Sequence, residues 1–267
     1  MTINPINQSI LRWLIALLLF VSACKKESLI GVPGGPKEVA FSGCRLSQVG
    51  FYDIAYNSNG SLKTMGDWIY QYNENEVVVF YFGNNPLDGV ILWLNDRGFP
   101  ERSISFNNRD SFYSKYLYNE DDYLIKVNYR YEREGMPERE YELLYSYDES
   151  GNRKKISFYW NDTLIEKVSF KYDYTKLDNR KDFFERVYVN PIFTYDFSDY
   201  LPIYRYYNHC VGKWNTNLVK EISIEYNGNT KVYDLKNYLD NKGNLVKTVY
   251  EQNRIQIGID SYKFTCK

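Results

Sequence analysis

The sequence predicts an all-β fold: an antiparallel up-and-down meander of roughly a dozen strands that closes into a barrel or a strongly curled sheet. Three observations predict it. A turn motif recurs in which an aromatic residue closes a strand, Asn or Asp opens the turn and Gly often follows. The segments between these turns alternate apolar and polar residues with period two. Tyrosine, a strand-favouring residue with an apolar body and a polar tip, occurs 28 times in 267 residues.

The clearest turn is Tyr147-Asp148-Glu149-Ser150-Gly151-Asn152. Others begin at Tyr56-Asn57, Trp93-Leu94-Asn95 and Tyr238-Leu239-Asp240, while Tyr118-Asn119 and Tyr172-Asp173 begin copies without the Gly. Asn and Asp accept local backbone hydrogen bonds and Gly supplies positive φ, so the motif has a mechanism. Tyr226-Asn227-Gly228-Asn229 is a tighter version, an Asn-Gly hairpin. Between turns, Tyr123, Ile125, Val127, Tyr129 and Tyr131 share one face, opposed by Lys126, Asn128, Arg130 and Glu132. Tyr141, Leu143, Tyr145 and Tyr147, then Val168, Phe170 and Tyr172, then Ile222, Ile224 and Tyr226 repeat the pattern. These are half-buried antiparallel strands. A long meander exposes two edges unless it closes, which is the argument for a barrel.

The first 23 residues carry one base, Arg12, followed by the apolar run Trp13 to Val21. Nine helical residues rise roughly 14 Å, about half of a bilayer core. The run therefore fits a signal peptide, and residues 1–23 are expected to be removed. Val21-Ser22-Ala23-Cys24 resembles a bacterial lipobox, which assigns Cys24 as the lipidated N-terminus. Residues 24–42, with Gly31, Pro33, Gly34, Gly35 and Pro36, read as a tether holding the domain roughly 20–25 Å from the membrane. A single domain is expected over 43–267. Within it, residues 175–217 form an irregular, aromatic-rich insertion expected to plug one end or lie across the sheet.

Beyond residue 23 the chain has 32 basic and 34 acidic residues, a net charge near −2 and no basic footprint for nucleic acid. The chain resembles a family of Bacteroidota lipoproteins of unknown function with degenerate Tyr-Asp-x-x-Gly hairpins, described as porin-like in fold. The turns at Tyr147 to Ile156 and Tyr238 to Leu245 carry the resemblance, with the break after Tyr172-Asp173 and the restart at Asn217 to Ile222. Cys24-Lys25-Lys26-Glu27 also looks like lipoproteins of that phylum, some of which are surface-exposed. The resemblance implies an outer-membrane, lipid-anchored protein on the periplasmic face or the cell surface.

With Cys24 taken by lipid, Cys44, Cys210 and Cys266 remain in an oxidising compartment. Cys44 opens the first strand and Cys266 ends the last, and in a barrel these are neighbours. A Cys44–Cys266 disulfide would close the seam and add roughly 4–5 kcal/mol, with two pairings through Cys210, or free thiols, as alternatives. His209, the only histidine, lacks further ligands at metal-site spacing, so no metal or cofactor is expected. Asp121-Asp122 and Asp148-Glu149 sit in expected turns and read as solvated acids. A glycosidase needs two carboxylates facing across a cleft, which spacing does not show. A transmembrane barrel also alternates apolar and polar residues, but the lipobox and tether argue against it. The expected function is a non-enzymatic binding or structural module, its ligand a small apolar molecule or glycan under the insertion. Tyr195, Tyr204, Tyr207 and Trp214 are the candidate ligand contacts. The alternatives are a filled-core protein-interaction module and a carboxylate-based envelope hydrolase.

Overall fold

The computed structural model describes residues 44–81, 89–106, 110–133, 137–178, 180, 213 and 215–266. They form sixteen antiparallel strands: β1 (Cys44–Val49), β2 (Tyr52–Tyr56), β3 (Leu62–Met65), β4 (Trp68–Asn73), β5 (Glu76–Tyr81), β6 (Gly89–Leu94), β7 (Pro100–Phe106) and β8 (Asp110–Tyr118). The second half comprises β9 (Leu124–Arg133), β10 (Arg139–Tyr147), β11 (Arg153–Trp160), β12 (Thr163–Leu177), β13 (Asn217–Tyr226), β14 (Asn229–Leu239), β15 (Leu245–Gln252) and β16 (Ile255–Cys266). Each strand pairs with its sequence neighbours, and β1 pairs with β16 to close the barrel. The count exceeds a dozen because β1 to β6 are only four to six residues long. Hairpins there are shorter than the unit of the second half.

Alternate side chains from around the wall form one buried cluster, including Leu46, Ile54, Val77, Leu92, Val127, Leu143, Ile156, Val168, Ile222 and Leu235. In a closed sheet that shared face is the interior. The other face of β9 to β15 carries ion pairs across neighbouring strands: Lys126 with Glu142, Lys167 with Glu225 (3.1 Å), Lys171 with Glu221 (2.7 Å) and Lys236 with Glu251 (2.6 Å). This apolar-inside, charged-outside arrangement is the reverse of a lipid-embedded barrel wall.

Five loops share one geometry. They span 57–61, 95–99, 119–123, 148–152 and 240–244, and all join an even-numbered strand to the next, so they cluster at one end of the barrel. The first residue, Asn or Asp, donates its backbone N–H to the carbonyl four residues on. Its own carbonyl accepts from the residue three on. That fourth residue has positive φ: Gly60 (85°), Gly98 (82°), Asp122 (68°), Gly151 (78°) and Gly243 (82°). Asp122 therefore stands in for the Gly missing from the third copy, in a region Asp tolerates better than most residues. The carboxamide or carboxylate of Asn95, Asn119, Asp148 and Asp240 also accepts backbone N–H bonds from within its loop.

A one-residue bulge follows each of these loops, at Lys63, Glu101, Ile125, Lys154 and Val246. A bulge puts two residues against one and reverses the alternation behind it. This places Leu124 in the core at 0% exposure and turns Ile125 outward at 39%. The uninterrupted alternation that put Ile125 on the inner face missed this shift. The residue after each loop enters the core instead, as Leu62, Pro100, Leu124, Arg153 and Leu245 do.

The repeat's tyrosine has a specific task at these bulges. The Tyr147 hydroxyl donates to the Leu124 carbonyl (2.8 Å), just before bulged Ile125. The Tyr172 hydroxyl donates to the Arg153 carbonyl (2.6 Å), just before bulged Lys154. Tyr56 does the same for Leu46 (2.7 Å), before the register shift at Ser47. On β14 the Asn237 amide serves Val219 (2.7 Å), before bulged Lys220. Strands β2, β10, β12 and β14 thus each cap the carbonyl beside the irregularity in the strand preceding them, where the ladder is disrupted.

Candidate polar site at the roots of the 178–216 connection

The β12–β13 connection leaves the wall at the end that carries the repeat loops. Its two roots are tied together and to their surroundings by buried polar groups. Asp178 donates its backbone N–H to the Thr216 carbonyl (2.9 Å). Asn152, 0% exposed at the foot of the 148–152 loop, accepts on Oδ1 from the backbones of Thr216 and Asn217 (both 2.9 Å). Its Nδ2 donates to Asn217 Oδ1 (3.1 Å). Asn215 Oδ1 accepts from the Arg153 backbone (2.8 Å), and the Tyr174 hydroxyl donates to Asp148 Oδ2 (2.8 Å). These Asn side chains present donors and acceptors together, so one buried residue satisfies several backbone groups.

The first root continues across the mouth. Arg180 is fully buried and grips Asp178 through Nε (2.9 Å) and Nη2 (2.8 Å). Its Nη1 donates to the Tyr262 hydroxyl (2.6 Å), and its guanidinium lies 4.7 Å from the Tyr262 ring centroid. Asp260 Oδ2 accepts from Tyr250 (2.5 Å) and Tyr262 (3.4 Å). Tyr250, Asp260 and Tyr262 lie on β15 and β16, so a residue just beyond β12 reaches strands on the far side of β13 and β14. A forked guanidinium matched to a carboxylate is the form in which a buried ion pair keeps its groups satisfied.

The remaining interior chemistry is phenolic. Tyr116 lies 2.9 Å from Ser103 Oγ, and burial pushes its phenol pKa up. Burial also raises the phenol of Tyr145, on whose ring the Arg153 guanidinium stacks at 5.3 Å. These phenols stay protonated at neutral pH, so neither serves as a nucleophile there. Among the described residues no group of three or more His, Cys, Asp or Glu is placed to hold a metal ion.

The turn acids occupy structural positions. Asp122 pairs with Arg97, and Asp148 is bonded to Ser150, Asn152 and Tyr174. Cys44 is disulfide-bonded, and its Cα partner across the β1–β16 seam is Cys266. Cys24, His209, Cys210, Tyr195, Tyr204, Tyr207 and Trp214 lie outside the described residues. Sequence reasoning missed Asn152, Asp178, Arg180, Asn215, Asp260 and Tyr262. The one available signal was the crowding of Asn and Asp where the alternation stops on either side of the connection.

The chain is thus a closed, sixteen-stranded antiparallel barrel with a polar mouth. No protein-family model matches its sequence, and no curated protein does. Its fold is similar to that of a porin-like protein from Bacteroides vulgatus ATCC 8482, with a TM-score of 0.60 and 14% identity over 82% of this chain and 98% of the other. A porin-like protein from Bacteroides uniformis ATCC 8492 aligns with a TM-score of 0.56 and 15% identity, over 89% of this chain and 100% of that one. At these identities the likeness is one of fold.

Proposed function

We propose that this protein is a lipid-anchored barrel of the bacterial cell envelope, held through Cys24, acting as a non-enzymatic binding or structural module. The observation that carries this reading is the ladder of ion pairs on the outer face of β9 to β15. Charged pairs at mid-strand belong in water, so membrane attachment has to come from elsewhere in the chain. The lipobox before Cys24 supplies it, and the likeness in fold to Bacteroides barrels supports an envelope setting. The outer membrane, on its periplasmic face or at the surface, is the compartment this implies.

Two interior features favour binding or scaffolding over hydrolysis. Asp178 is neutralised by Arg180, and Asp260 is engaged by two phenols, so neither is presented as a working acid or base. Ser105 Oγ is buried without a hydrogen-bond partner among the described residues, the kind of polar handle a small apolar ligand or glycan uses inside a barrel. In the same reading Cys266 is the disulfide partner of Cys44. Directly opposed residues of an antiparallel pair lie within disulfide reach.

Intact-mass analysis of protein extracted from its own membrane tests the anchor. The expected species starts at Cys24 and carries acyl chains. An uncleaved start or an unmodified thiol overturns the reading. Native mass spectrometry of the same sample reads any retained ligand, and non-reducing peptide mapping reads the disulfide.

A further inference from the structure

A closed wall of sixteen strands is wider than its own side chains can fill. At about 4.8 Å between strands it measures roughly 77 Å around, so it is about 25–30 Å across once the strands tilt. Facing sheets pack about 10 Å apart, so each side of the wall fills about 5 Å and a space about 15–20 Å wide is left over. Water in a lumen of that width would wet the inner residues. They are dry all the way round: Leu46 on β1, Val77 on β5, Leu92 on β6, Val127 on β9, Ile156 on β11 and Ile222 on β13 are 0–3% exposed.

The shortest inner side chains are dry as well. Ser103 on β7 and Ser114 on β8 are direct cross-strand partners, with Leu92 and Tyr129 next to them in the same row. Ser105 stands one row away, between Val90 and Phe112. All three serines are 2–4% exposed, and the Oγ atoms of Ser105 and Ser114 are out of reach of solvent. A hydroxyl so close to the backbone, recessed between longer neighbours, stays dry in a wide barrel only where something in the lumen packs onto it.

We propose that residues 181–212 fold into the lumen and pack against the inner face of the wall as the core of the barrel. These residues lie outside the described ones, and three observations name them as the occupant. Their start points inward: Arg180, 0% exposed, lays its guanidinium on Tyr262, an inner-face residue 4% exposed on β16. Their two ends leave one rim side by side, joined by the Asp178–Thr216 backbone bond, so the chain must go in and come back. About sixteen residues each way reach up to roughly 50 Å when extended, more than the depth of the wall. Their composition is that of a core, with ten aromatic residues in 32. Opposite walls flattened into contact would cover the same inner residues, but would leave those aromatics in water and Arg180 without a reason to be buried.

The consequence for function is a porin-like wall that conducts no solute. This deepens the binding-module reading and rests on it for the ligand, which would sit between the segment and the wall rather than in an open channel.

The test replaces leucine throughout the full chain by photo-leucine, a diazirine analogue close to it in size, and maps the photo-crosslinks by peptide mass spectrometry. Leu92 and Leu143, on the inner face, are expected to link to peptides from 181–212, and Leu144, on the outer face of β10, to none of them. Inner leucines that link only to other strands overturn the proposal, because the walls would then touch each other. A second measurement reads the cover directly, in a chain that carries Cys24→Ser and Cys210→Ser. Val127→Cys is expected to react with a maleimide at least about tenfold more slowly than Leu144→Cys. Equal rates overturn the proposal, because the lumen would then be open to water. An unmodified Cys24 in native protein overturns the anchor and an empty native mass spectrum the ligand; both leave these results standing, so the failures are distinguishable.

Discussion

The capping of bulge carbonyls by tyrosine hydroxyls makes a quantitative prediction at Tyr147. Tyr147→Phe removes one oxygen and leaves the ring, with its packing 4.7 Å from Tyr123, in place. The hydrogen bond itself contributes about 1 kcal/mol. The Leu124 carbonyl, on a residue 0% exposed, then stays desolvated without its donor, which costs a further 1–3 kcal/mol or so. The expected loss is about 2–4 kcal/mol, a fall of roughly 1–2 M in the urea midpoint for an m-value near 2 kcal/mol/M. Burial raises the Tyr147 phenol above its ordinary pKa, so the group remains a donor through neutral pH and the loss should be the same at pH 6 and pH 8. Tyr226→Phe, half exposed at the other end of the barrel, is the control and should stay within about 0.5 kcal/mol. The assay is equilibrium urea unfolding with the m-value held as a check. A Tyr147→Phe midpoint indistinguishable from the parent, or an equal loss at Tyr226, would refute the reasoning.

Three further outcomes follow from the loops and the mouth. Gly243→Ala meets only the left-handed backbone penalty, about 1–2 kcal/mol, because nothing lies within 4 Å of the added carbon. Gly151→Ala places that carbon 2.1 Å from the Tyr123 hydroxyl oxygen and should lose about 1 kcal/mol more, read as the difference between the two urea midpoints. Arg180→Met strands the buried Asp178 carboxylate and should cost about 3–5 kcal/mol, most of which Arg180→Met/Asp178→Asn recovers. If the double variant is as unstable as the single in urea unfolding, the charge is not the cause. The Asn244 side-chain amide and backbone N–H hold the Asp240 carboxyl below its usual value. A lowered folded-state pKa stabilises above the unfolded value near 3.9 and is lost as pH falls through the folded one. Asp240→Asn should therefore lower the melting temperature near neutrality, where the ionised carboxylate stabilises, and converge on the parent as pH falls below about 4, which flattens the acid limb.

Much of the wall was legible because its two signals are local. Asn or Asp opening a turn and period-two alternation needed only adjacent residues, and they located the hairpins and the closure. The bulges were not legible, because a register shift is decided by the partner strand. Ile125 looks inward by counting from Tyr123 and faces outward because Leu124 takes its place. The requirement for Tyr rather than Phe at 56, 147 and 172 was hidden for the same reason: the accepting carbonyl sits on another strand. The mouth was the least readable part. Arg180 and Tyr262 are 82 residues apart, and no spacing rule links a residue just past β12 to one on β16.

The placement of the chain's exits has a practical corollary. β1 starts, β16 stops and the 178–216 excursion departs at one rim, whereas Asn161-Asp162, Asn227-Gly228 and Asn253-Arg254 turn back at the other with successive positive φ. With strands of eight to twelve residues, the rims of this half stand roughly 20–30 Å apart once the strands tilt. An epitope spliced between Asn227 and Gly228 would ride on the rim opposite the start of β1. Antibody access to it in whole cells, compared with cells whose outer membrane has been opened, would report which compartment that rim looks into.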